Sequence, residues 1–93
     1  MQYRHLGKWG VQISTVGLGS WLTIGMHVAD DLAAEHVKLC FDHGVNWFDT
    51  ANAYNRGQAE IAFGKILKDY PRESFVLATK VWAPMGDGPN DRG

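Results

Sequence analysis

The sequence predicts an α/β fold in which a β-hairpin is followed by a β-α-β-α-β unit. Two segments carry apolar residues at spacings of three and four, which is typical of amphipathic helices. These segments separate three short apolar runs bounded by glycine, proline or polar residues, which are typical of strands. Because strands joined by crossover helices pair in parallel, we expect the three runs to form one parallel sheet. We expect residues 1–93 to form a single partial domain.

The hairpin is predicted from two short strands at residues 3–6 and 11–14. The glycine-bounded segment 7–10 between them is typical of a turn. The apolar run at residues 14–19 then predicts the first buried strand of the parallel sheet. A loop over residues 20–29, rich in glycine and aromatic residues, is expected to follow it.

The first helix is predicted to begin at a cap formed by Asp30 or Asp31 and to end near His43. Gly44 is placed to end it in a left-handed conformation. Its apolar face is predicted to consist of Ala33, Val37, Cys40 and Phe41.

The second strand is predicted at residues 45–49, and the loop that follows it, 50–57, carries Tyr54. The second helix covers residues 58–69, and Pro71 prevents its continuation. Its inward face is expected to carry Ala59, Phe63, Ile66 and Leu67. Gly64 inside this helix costs about 1 kcal/mol relative to alanine, and close packing against a neighbour would explain it.

The third strand is predicted at residues 75–80, with a loop over 83–93. Two α/β architectures compete for such a chain. A doubly wound nucleotide-binding fold needs a third glycine at the first turn, but Leu22 stands there and ten residues separate the turn from the helix. A (β/α)8 barrel carries its site at the carboxyl ends of its strands, where Asp49 and Lys80 are predicted to lie. We therefore expect the N-terminal portion of a (β/α)8 barrel preceded by the hairpin.

Asp49, Tyr54 and Lys80 are the candidate catalytic residues. Adjacent strands lie about 4.8 Å apart, so Asp49 and Lys80 at neighbouring strand ends could form an ion pair. An unperturbed tyrosine has a pKa of about 10, and a neighbouring ammonium favours the phenolate. A carboxylate would hold the lysine charged and in position, and the phenol beside the lysine could then donate a proton to a developing alkoxide.

Composition excludes several functional classes. The formal net charge of −1, without a run of basic residues, gives no reason to expect nucleic acid or an anionic membrane as a partner. No apolar stretch approaches the roughly 20 residues of a membrane span. The single cysteine, Cys40, allows no internal disulfide, which favours a cytoplasmic protein. The histidines show no spacing typical of a metal site.

Several segments together resemble the aldo-keto reductase family. The segment 44–51, followed by Tyr54, Glu60 and Gly64, is similar to the family's first signature and reads GVNWFDTA. The segment 77–80, LATK, resembles the family's third strand with its catalytic lysine. Residues 3–7, YRHLG, and 17–25, GLGSWLTIG, are similar to the branch of potassium-channel beta subunits and related microbial reductases.

The resemblance implies a (β/α)8 barrel that binds NADPH and reduces aldehydes or ketones. It implies that Tyr54 is the proton donor, that Lys80 tunes it and that Asp49 supports Lys80. Ser20, Trp21 and Asp49 match positions that contact the cofactor in the channel-subunit branch. His27 falls at another such position with a different residue type. Self-association or a channel-type partner would be expected of the full-length protein.

The family's fourth catalytic residue and its phosphate-binding loops would lie beyond Gly93. We therefore expect the 93-residue chain to be inactive by itself. Two other interpretations stay open, namely a Schiff-base aldolase barrel with Lys80 as nucleophile and a regulatory protein of the channel-subunit type with bound NADP.

Overall fold

The computed structural model describes all residues from Met1 to Gly93 and contains two sheets and two α-helices. β1 and β2 form an antiparallel hairpin, and β3, β4 and β5 form a parallel sheet in that order. This α/β topology confirms the fold class predicted from the sequence. The elements are β1 Tyr3–His5, β2 Gln12–Ser14, β3 Leu18–Gly19, α1 Asp30–Asp42, β4 Trp47–Asp49, α2 Gln58–Leu67 and β5 Val76–Ala78, with 3-10 turns at Tyr54–Gly57 and Arg72–Ser74.

The strands are shorter than predicted, and the first is the least accurately predicted. Only Leu18 and Gly19 pair with β4, so the prediction of a strand over residues 14–19 was wrong for most of its length. The ladder can extend only as far as its partner, and β4 is three residues long. Leu77 on the edge strand β5 is 38% exposed.

The core lies between the parallel sheet and the two helices. Phe48 in the central strand is fully buried, and its ring lies within 5.3–6.1 Å of the rings of Phe41, Phe63 and Phe75. The predicted inward face of α2 is confirmed, since all four residues are buried. On α1, Ala33 and Val37 are buried, whereas Cys40 and Phe41 are partly buried against the core.

The helix ends differ in part from the predictions. Ala29 occupies the N-cap position of α1, so neither aspartate caps the helix through its side chain. Asp30 and Asp31 instead lie in the first turn, where a negative charge is favoured by the helix dipole. Gly44 has φ of +81°, which confirms the left-handed stop. None of the helices is both long and apolar enough to pass through a bilayer.

The hairpin is joined to the amino-terminal end of β4 by Ser14. The Ser14 backbone N–H donates to Asn46 Oδ1 at 2.8 Å, and the Asn46 N–H donates to Ser14 Oγ at 3.1 Å. The Trp47 indole N–H donates to the Ser14 carbonyl at 3.0 Å. These bonds place the hairpin at the end of the sheet opposite to Asp49.

Replacing glycine by alanine is expected to have opposite effects on stability at Gly64 and at Gly17. Gly64 in α2 has open space where a Cβ would lie, so the close packing expected from the sequence is wrong. Gly64→Ala should therefore stabilise the chain by roughly 0.5–1 kcal/mol. At Gly17 an added Cβ would overlap the Trp47 indole, so Gly17→Ala should destabilise the chain. Urea unfolding followed by circular dichroism measures both, and a loss of stability in Gly64→Ala would contradict the assignment of an open site.

Candidate active site

Lys80 and Asp49 form an ion pair at the carboxyl edge of the parallel sheet. Lys80 Nζ lies 2.7 and 2.8 Å from the two carboxylate oxygens of Asp49 and 2.9 Å from the carbonyl oxygen of Thr50. Backbone pairing continues past the strands, since the N–H of Thr50 donates to Ala78 and that of Asn52 donates to Lys80. The sheet therefore fixes both main chains at the point where the two charged side chains meet.

The ion pair contributes little to folding stability. The side chains of Lys80 and Asp49 are 47% and 30% exposed, and pairs exposed to this extent are worth about 0–1 kcal/mol. The pair nevertheless holds an ammonium group at a defined place on the sheet edge.

The Tyr54 ring lies beside this ammonium group. Lys80 Nζ is 4.8 Å from the centroid of the Tyr54 ring. The Tyr54 ring also stacks on Trp21, at a centroid distance of 6.2 Å and an interplanar angle of 21°. The phenol, the ammonium and the carboxylate that the sequence singled out thus lie together, and their catalytic roles stay predictions.

Lys80 has a raised pKa in this environment. Burial taken by itself would lower the pKa of Lys80, but hydrogen bonding with the Asp49 carboxylate and its charge, together with the neighbouring Tyr54, outweigh burial and raise the pKa above the usual 10.5. The lysine is therefore an ammonium throughout the neutral range. Any stabilisation from this charge is present below pH 10.5 and is lost only as the pH rises through the raised pKa.

Ser20 connects the ends of β3 and β4. Its backbone N–H and its hydroxyl both donate to the carbonyl oxygen of Asp49, at 2.9 and 3.1 Å, and the residue is 1% exposed. The hydroxyl proton of Ser20 is therefore engaged by the sheet.

A cavity of about 370 Å³ lies against the phenol and the ammonium. Its lining residues are largely apolar or aromatic: Trp21, Ala51, Asn52, Ala53, Tyr54, Lys80, Trp82 and Ala83. A smaller cavity of about 190 Å³ is lined by Ser20, Trp21 and Tyr54 together with residues of the loops on either side. His27 is exposed and lines neither cavity.

Asn52 is a polar residue of this cavity that the sequence prediction missed. Its Oδ1 atom is buried and has no hydrogen-bond partner. Its only signal in the sequence was a place in the loop between Asp49 and Tyr54. The cavity wall is therefore mainly aromatic and apolar, with Asn52 and Lys80 as its polar residues.

A second contact missed from the sequence lies behind Lys80. The Thr79 hydroxyl donates to Glu60 Oε1 at 2.6 Å and so joins the residue before Lys80 to the first turn of α2. The structure contains no group of three or more histidine, cysteine or carboxylate residues that could hold a metal ion.

Comparisons with known proteins agree with this architecture. A family model described as the aldo/keto reductase family matches residues 15–93. A probable voltage-gated potassium channel subunit beta from Arabidopsis thaliana is 41% identical over 96 residues, covering 100% of this chain and 29% of that protein.

Solved structures agree as well. A thermostable aldo-keto reductase crystallised with the inhibitor epalrestat superposes with a TM-score of 0.77 at 36% identity, covering 88% of this chain and 31% of that one. A candidate aldo-keto reductase from Pseudomonas aeruginosa gives 0.78 at 36% identity, covering 92% and 33%. The chain thus spans about three-tenths of the length of these relatives. The resemblance drawn from the sequence is confirmed, and the chain belongs to the aldo/keto reductase family.

Proposed function

We propose that this chain supplies the catalytic phenol, lysine and aspartate of an NADPH-dependent reductase of aldehydes or ketones. The observation that carries the proposal is the convergence of Tyr54, Lys80 and Asp49 at one edge of the parallel sheet. Membership of an oxidoreductase family supports the reaction class. We also propose the cytoplasm as its location, as expected from the sequence.

The proposed chemistry divides between a hydride and a proton. NADPH, when bound, would supply the hydride that reaches the carbonyl carbon. Tyr54 Oη would donate a proton to the carbonyl oxygen as negative charge develops there. The ammonium of Lys80 favours the negative charge that the phenol acquires on losing this proton, and Asp49 keeps the ammonium in place.

The residues of the site fit the proposed cofactor. The cavity is lined by the aromatic residues Trp21, Tyr54 and Trp82, which could contact a nicotinamide ring. Ser20 and Asp49 are the further proposed contacts. The apolar wall would also exclude water, which strengthens electrostatic interactions at the reacting oxygen.

The isolated chain is proposed to bind substrate too weakly for turnover. Its three parallel strands form an open sheet, whereas a closed barrel needs eight. The cavity beside Tyr54 is therefore walled on one side only by this chain.

The test is a chimaera in which this chain replaces the matching segment of the thermostable aldo-keto reductase. The two proteins are 36% identical over a match that covers 88% of this chain. NADPH consumption at 340 nm with an aldehyde should be measurable in the chimaera and undetectable in the 93-residue chain. A folded chimaera that binds NADPH but reduces no aldehyde or ketone would overturn the proposed activity.

The aldolase interpretation predicts a reactive neutral amine at Lys80. Imine formation needs the unprotonated amine, but the raised pKa keeps Lys80 charged near neutral pH. After incubation at pH 7 with a small aldehyde and borohydride, peptide mass spectrometry should find Lys80 no more labelled than the exposed Lys68. Selective labelling of Lys80 would favour the aldolase instead.

A regulatory function is the second candidate, and the relative named as a potassium channel beta subunit favours it. A protein of this kind would bind NADP and a channel-type partner while turning over little substrate. In the chimaera, NADPH binding accompanied by negligible reduction of several aldehydes would support this candidate.

A further inference from the structure

Three consecutive residues after Tyr54 have a left-handed backbone. Asn55 has φ 46° and ψ 44°, Arg56 has φ 50° and ψ 46°, and Gly57 has φ 89°. Glycine adopts this conformation freely and asparagine tolerates it best among the other residues. A turn of this kind does not persist unless its surroundings hold it.

The Asn55 side chain supplies such a contact. Its Nδ2 group donates a hydrogen bond to the carbonyl oxygen of Gly25, in a partly buried position. This bond joins the left-handed turn to the loop over residues 20–28.

The main chain of Gly25, which accepts that bond, is itself held by close packing. It has φ of +78°, and an added Cβ would approach the backbone of Gln58 and Ala59 at 2.7–2.8 Å. Its main chain therefore packs directly against the start of α2. The amide of Asn55 thus bonds to a group that is itself held by the fold.

The same loop carries Trp21, which stacks on the Tyr54 ring. The loop and the turn therefore meet at two neighbouring points, the amide bond of Asn55 and the Trp21–Tyr54 stack. The Tyr54 ring thus contacts Trp21 of this loop, and its centroid also lies 4.8 Å from Lys80 Nζ.

We propose that Asn55 is a positioning residue that fixes the Tyr54 ring against Trp21 and beside Lys80. This inference rests on the proposed function for its catalytic meaning, but the geometry can be tested without turnover. Two substitutions at Asn55 distinguish the effect of its side-chain hydrogen bond from the effect of its left-handed backbone. Asn55→Asp keeps the size and the left-handed tolerance but removes the N–H donor, and Asn55→Gly relieves the backbone while removing the side chain.

The experiment is NMR of the 93-residue chain with isotopically labelled tyrosine. We expect the Trp21 stack to displace the Tyr54 ring signals from their unfolded positions. Tyr70, stacked on Phe41 at 4.1 Å against the core, should report the fold in the same spectrum. Tyr54→Phe assigns the signal. In both Asn55 variants we expect the Tyr54 signals to move most of the way to their unfolded positions while those of Tyr70 stay. Asn90→Asp, the same change at an exposed site, should move neither.

The inference is overturned if Tyr54 keeps its displaced signals in both variants or lies at the unfolded position in the wild-type chain. It is also overturned if Tyr54 and Tyr70 move together in Asn55→Gly, since the side chain would then support the fold in general. Where Asn55→Asp does not fold, Asn55→Gly decides. The proposed function is decided separately, by turnover of the chimaera.

Discussion

Replacing Tyr54 by phenylalanine in the chimaera is expected to lower kcat for aldehyde reduction by about 100- to 10,000-fold, the usual contribution of a positioned proton donor. The substitution removes only the hydroxyl group. The ring that stacks on Trp21 and lies 4.8 Å from Lys80 Nζ stays in place. Because the cavity wall keeps its shape, the Kd for NADPH should change by less than about threefold, within the effect of one weak contact. Stopped-flow measurement of a single turnover at 340 nm separates the chemical step from product release.

Tyr70→Phe is the matched control for this prediction. It makes the same chemical change at a ring that stacks on Phe41 in the core, away from the sheet edge. Its kcat should equal that of the unmodified chimaera. Retention of more than a tenth of the activity in Tyr54→Phe would mean that another group donates the proton, and an equal loss in Tyr70→Phe would mean that packing is responsible.

The pair of charges at the sheet edge could be predicted because it depends on simple geometry. Asp49 and Lys80 each follow a short apolar run, and parallel strands bring their carboxyl ends to one edge. The amphipathic spacing likewise identified the buried face of α2, since a period of 3.6 residues survives small errors in the helix ends.

The contacts around Tyr54 could not be predicted, because they join residues distant in sequence through backbone geometry. Nothing in the sequence indicates that Arg56 has positive φ, and asparagine at position 55 permits a left-handed conformation without requiring it. The bond from Asn55 to Gly25 spans 30 residues. The predicted extent of β3 was wrong for a related reason, because the length of a strand depends on its partner strand as well as on its own apolar run.

Replacing Phe48 by alanine is expected to destabilise the chain by about 3–5 kcal/mol, as for other fully buried aromatic residues. Phe48 is the centre of the aromatic cluster, with Phe41, Phe63 and Phe75 around it. It is 0% exposed, and these neighbours come from α1, α2 and the start of the third strand segment. The space left by the Phe48 ring could close only if all three neighbouring rings moved at once. We therefore expect a loss of stability in the upper part of the range of about 3–5 kcal/mol.

A chain of this size has a total stability of roughly 5–15 kcal/mol, so Phe48→Ala removes a large fraction of it. Urea unfolding followed by far-ultraviolet circular dichroism measures the loss. Leu39→Ala, at a position 56% exposed on α1, should change stability by less than about 0.5 kcal/mol. Phe48 directly precedes Asp49 in β4, so the loss of the Phe48 ring should also release the Asp49–Lys80 ion pair. If the free energy of unfolding of Phe48→Ala were unchanged, the aromatic cluster would not be what holds the sheet edge in place.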